Sequence, residues 1–189
     1  MTGSLLCQLL CVLGCPSLVP MAVLHNDAKT LRLSLELVDR EVPPLIPGQP
    51  PVPADAVRVL GSAGVEFYDR RDASYWPFIR LPVLYYAGTD PTELVSSIRD
   101  LCSLKVPGFA FRTGTAQDLA VQVGRRDAGG FVVEVGIDLA TYLFETTGTQ
   151  GEPGRELAMF RFITNTAELV RFADQLKQEI ERLPPVKRL

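Results

Sequence analysis

Leu31, Leu33, Leu35 and Leu37 alternate with Arg32, Ser34 and Glu36. A period of two is that of a strand with one buried and one wet face, so a strand is predicted over 29–38. Glu156 to Ile163 carries apolar residues at both parities, with Ala158, Phe160 and Phe162 on one face and Leu157, Met159 and Ile163 on the other. It predicts a strand covered on both sides. Asn165-Thr-Ala-Glu168 follows, a capping box in which an acceptor side chain and a carboxylate three residues on open a helix. Leu169, Phe172, Ala173, Leu176, Ile180 and Leu183 then fall on one stripe, with Arg171, Asp174, Gln175, Gln178, Glu179 and Arg182 opposite. Pro184-Pro185 ends the helix.

The same start recurs at Asp90-Pro-Thr-Glu-Leu-Val95, with Pro91 at the favoured first helical position and Leu94, Ile98, Leu101 and Leu104 as its stripe. The residues around the two helices do not align further, and the expectation is independent use of a good helix start rather than a duplication. Ala56–Tyr68 reads as two short strands around Gly61-Ser-Ala-Gly64. Pro77–Tyr86 reads as another strand, placed at an edge or bulge by Pro82. Gly108–Arg112, Asp118–Val123 and Phe131–Leu139 are further strands, the last two joined by turn chemistry at Asp127-Ala-Gly-Gly130. The sum is an α+β fold, an antiparallel sheet of about five to seven strands in a meander with two main helices packed on one face.

With 189 residues, one domain is expected over 21–189, interrupted by a Pro-rich connector at 43–53 and a Gly-rich mobile loop at 146–155. Residues 1–20 form an apolar tail or vestigial signal. Val12-Leu13-Gly14-Cys15 approximates a lipoprotein cleavage box, which would bring the chain to a membrane if Cys15 were lipidated. The n-region lacks Lys or Arg, and the simpler expectation is that Met21 is the functional start. The spacing of Cys7, Cys11 and Cys15 would line one face of a helix but is not zinc-like, and with Cys102 they make no disulfide framework. Neither a metal nor a cofactor is expected. The net charge is −3, with no basic stripe, which argues against nucleic acid as a partner.

His25 is the only histidine and precedes the first clear strand, so a Ser-His-Asp or Cys-His mechanism has little to build on. Glu66, Asp69, Asp72, Glu134 and Asp138 read as exposed strand and loop carboxylates, and no nucleotide-binding, metalloprotease or hydrolase-elbow motif occurs. The expectation is a binding protein rather than an enzyme. Its most interface-like segment is Asp69-Arg-Arg-Asp-Ala-Ser-Tyr-Trp76, where Asp69, Arg70, Arg71, Asp72, Tyr75 and the sole Trp, Trp76, offer apolar area beside directional polar groups. The competing reading is that Trp76 plugs the end of the sheet.

The order of the Asp90-Pro-x-Glu-Leu helix, a strand meander, Phe160-x-Phe-Ile-Thr164 and the Glu168-Leu-x-x-Phe-x-x-Gln-Leu176 helix resembles WapI-like bacterial immunity proteins over roughly residues 76–184. That resemblance implies a cytoplasmic protein that binds a cognate toxin and blocks it. It supplies no catalytic motif. The Cys-rich start and the 43–53 insert depart from it. Two other readings stand beside it: a small enzyme or ligand-binding domain with its site between sheet and helices, and a lipid-anchored envelope protein.

Overall fold

A computed structural model describes residues 21–42, 57–87, 90–113, 119–138 and 157–185. The tail at 1–20, the Pro-rich connector at 43–53 and the loop at 146–155 lie outside the described residues, as do Cys7, Cys11 and Cys15. The elements are β1 (Ala22–His25), β2 (Leu31–Glu41), β3 (Arg58–Asp69), β4 (Ser74–Ala87), α1 (Asp90–Cys102), β5 (Gly108–Arg112), β6 (Leu119–Arg125), β7 (Phe131–Asp138), β8 (Leu157–Thr164) and α2 (Thr166–Arg182).

The class is α+β, and both meanders are antiparallel. The strands are divided between two four-stranded sheets, β1-β2-β3-β4 and β5-β6-β7-β8. Among the described residues element order therefore runs ββββα twice, so the shared helix start at Asp90 and Asn165 marks the same place in a repeated arrangement of the described elements. The sheets meet where the β1–β2 turn touches the end of β8: Asp27 N–H donates to Ile163 O at 2.9 Å, and Thr164 Oγ1 donates to His25 O at 2.7 Å. Leu24, Leu33 and Leu35 from the first sheet, Val121, Val133 and Val135 from the second, and Leu94, Ile98, Leu169, Phe172 and Leu176 from the helices form one buried cluster.

Several local expectations change. β3 is one continuous strand across Gly61-Ser-Ala-Gly64, whose small residues serve packing rather than a turn: a Cβ on Gly64 would stand 2.9 Å from Ser34 Oγ. β4 is an edge strand, and its register jumps from Leu84↔Gly61 to Leu81↔Ala63, so Pro82 sits in a bulge where no ladder donor is needed. Gly129 (φ 85°) and Gly130 (φ 76°) supply the left-handed backbone of the β6–β7 turn. β8 is buried on one face only, since Met159 and Ile163 on the other reach solvent. Leu104 leaves the α1 stripe: it takes φ 66° just past the helix and is exposed, while Lys105 N–H closes back on Asp100 O at 2.9 Å.

The two helices pack on each other, and each also leans on the sheet of the opposite half. α2 lies along β1 and β2, and α1 lies against β5. Asn165 caps α2, its side chain accepting from Glu168 N–H at 3.0 Å. The return half of the capping box is not made, since the Glu168 carboxylate turns to Arg171 and His25.

Candidate functional site

The long β3–β4 hairpin extends beyond the part of the first sheet that the helices cover. Along β3 the inward parity is Val59, Gly61, Ala63, Val65 and Phe67, and burial holds until Val65. Phe67 is 44% exposed, and directly across from it stands Trp76 at 56%. A second register shift, where Val65↔Ile79 gives way to Glu66↔Pro77, releases Phe78 from the ladder. It is 61% exposed. Phe78 meets Phe67 edge-on, with ring centroids 5.4 Å apart, and meets Phe160 of β8 edge-on at 5.5 Å. A contiguous aromatic surface thus links β3, β4 and β8 at the open end of the core.

The outward face of the same sheet is polar. Arg32 Nε donates to Glu66 Oε2 at 2.8 Å, and Ser34 Oγ donates to Glu66 Oε1 at 2.8 Å. The Arg32 guanidinium also lies 4.0 Å over the Tyr75 ring. Tyr75 Oη donates to Lys29 O at 2.6 Å, and burial raises its phenol above the ordinary range. His25 is the last residue of β1 rather than part of a loose lead-in. Burial, and then the Arg171 guanidinium, lower its imidazole pKa, so at neutral pH the ring is uncharged and its Nδ1 accepts from Arg171 Nη2 at 2.6 Å. These groups are bound to one another across a sheet face.

The segment 69–76 is therefore split. Asp69 closes β3, with its carboxylate accepting from Arg71 N–H at 2.8 Å. Arg70, Arg71 and Asp72 form the exposed turn, which Ala73 completes at φ 50°. Tyr75 and Trp76, adjacent on a strand, point to opposite faces: Tyr75 joins the polar network, and Trp76 joins the aromatic surface. Trp76 is no core plug.

No family model, curated protein or solved structure matches the chain.

Phe67, Phe78 and Phe160 are the members that the sequence reading missed as a site. Phe67 carries a signal, since it continues the inward parity of β3 one step beyond the last buried residue. Phe78 does not, because only the bulge brings it to that face. Among the described residues no group of three His, Cys, Asp or Glu side chains is placed to hold a metal, and no helix is long and apolar enough to cross a membrane. An open groove of about 650 Å³ runs along the outer side of α2 beside Val170, Arg171, Asp174 and Gln178, away from the aromatic surface.

Proposed function

We propose that the protein is a non-catalytic binding protein that grips a protein partner with Trp76, Phe67, Phe78 and Phe160, the charged turn Asp69–Asp72 forming the polar rim. The observation that carries this reading is the contiguity of the exposed Phe67 and Phe78, which touch each other and the partly buried Phe160 in a row, with the exposed Trp76 directly across from Phe67. Scattered exposed apolar residues are ordinary on a protein surface, whereas a connected aromatic patch beside charged side chains has the composition of an interface core and its rim. The sequence resemblance to immunity proteins supplies the partner class: a cognate toxin, neutralised in the cytoplasm by occlusion.

The test is co-expression with candidate toxins of the contact-delivered class that the resemblance implies, followed by titration of the purified pair. Trp76→Ala and Phe78→Ala should each weaken binding by about 2 kcal/mol or more, and Trp76 emission should shift to the blue as the complex forms. Full protection and unchanged affinity in both variants would overturn the assignment of the surface. Absence of any complex would overturn the toxin-binding role.

A further inference from the structure

The helical pattern places Glu179 on the wet side of α2. The structure buries it, with 2% of its surface exposed. The reason lies in the edge of the first sheet. β1 begins at Ala22, opposite Leu35, so the Leu37 N–H lies beyond the reach of β1. Glu179 takes the missing strand's place, its Oε2 accepting from Leu37 N–H at 2.8 Å. One turn earlier, Gln175 Oε1 accepts from Val23 N–H at 3.0 Å. Two side chains of α2 thus close the edge that β1 and β2 leave open.

The closure is incomplete at one atom. Among the described residues Glu179 Oε1 has no hydrogen-bond partner, although Ala22 N–H faces the carboxylate. Around it, β2 contributes Glu36, whose charge opposes ionisation, and Arg40, whose Nη2 is occupied by Ile180 O at 2.9 Å. α2 itself contributes Arg182, which favours ionisation. β1 offers only backbone there. The ionic contact of α1 with α2, Arg99 to Asp174, lies more than a turn away. A buried carboxylate with one oxygen unsatisfied is costly when charged and tolerable when protonated.

We propose that Glu179 is a proton-operated latch: protonated, it seats the C-terminal half of α2 on the β1–β2 edge, and ionised, it loosens that seat and uncovers the amides of Val23 and Leu37.

Burial raises the Glu179 carboxyl to about 7 against an ordinary 4.5. The folded state therefore holds a proton that the unfolded chain has lost, and the stabilisation is complete below about pH 4.5 and gone above about pH 7. His25 acts with the opposite sign. Its pKa is lowered on folding, so its contribution is present above its ordinary pKa and is lost as pH falls toward the folded value. The two are separated by Glu179→Gln, which keeps the shape and cannot ionise.

The experiment measures urea unfolding and amide exchange of Val23 and Leu37 from pH 5 to 8, with exchange corrected for its intrinsic pH dependence. In the wild type the unfolding constant should carry a rise of the order of tenfold between pH 5.5 and 7.5 that Glu179→Gln lacks, and the two amides should lose protection over the same window. Glu36→Gln should move the transition to lower pH, because without the neighbouring negative charge Glu179 gives up its proton more readily.

 Equal pH slopes in the wild type and Glu179→Gln would overturn the latch. So would a slope abolished by Glu36→Gln alone, which would make Glu36 the sensor, or a Glu179 carboxyl that titrates near its ordinary value by carbon NMR.

Discussion

Among the described residues the two ββββα halves share an order of elements and differ in length. After the short β1, strands of the first half run to 11, 12 and 14 residues, against 5, 7, 8 and 8 in the second. In the second half the inward residues Val121, Val123, Phe131, Val133, Val135, Ile137 and Phe162 are all buried, and Phe109, Ala158 and Phe160 are partly buried. In the first, burial runs out between Val65 and Phe67. The difference teaches that a repeated architecture need not expose equal surfaces. Where strands outrun the helix layer, the inward parity continues without a cover, and apolar side chains that would have been core become an accessible face.

That contrast makes graded demands on mutants. The largest effect belongs to the shared core: Leu176→Ala should cost about 2–5 kcal/mol in chemical denaturation, since Leu176 is buried in the one cluster that both halves build. A neutral result would mean that the halves are not joined through α2. Asn165→Ala should come next, at about 1 kcal/mol, because it removes the acceptor of Glu168 N–H together with the bond from Asn165 Nδ2 to Asp27 Oδ1 at 2.9 Å. The smallest belongs to the overhang. Phe78→Ala should cost about 1 kcal/mol or less, having little buried area to lose, and Trp76 in the unbound protein should emit in the red and be quenched by iodide. A loss comparable to that of Leu176→Ala would show the aromatic surface to be core after all.

Much of this fold was legible because its signals are local. The leucine alternation of β2, the cap at Asn165, the stripe from Leu169 to Leu183 and the glycine turn at 129–130 each need only a few neighbouring residues to be read. What escaped depends on distant partners. β1 has too few residues to show a period, and its edge is completed by α2. Gly61 to Gly64 looked like a turn because the reason for small residues there, Ser34 on the next strand, is not local. Glu179 lies between Leu176 and Leu183 near the margin of the apolar stripe, and only the unpaired Leu37 amide explains why a carboxylate is buried there. The candidate site was half legible: Trp76 was identified, but Tyr75 faces the other way, and Phe78 owes its place to a bulge.

The bond from Val23 N–H to Gln175 joins residues separated by 152 positions, and the one from Leu37 N–H to Glu179 spans 142. The first described strands, β1 and β2, are thus finished by the last described helix, α2. During synthesis the opening sheet can assemble its hairpins, yet its edge stays unsealed until α2 has left the ribosome. From the emergence of β2 until that of α2 the nascent protein carries an open strand edge, and the C-terminal turns of α2 are what withdraw it from chance pairing with other chains.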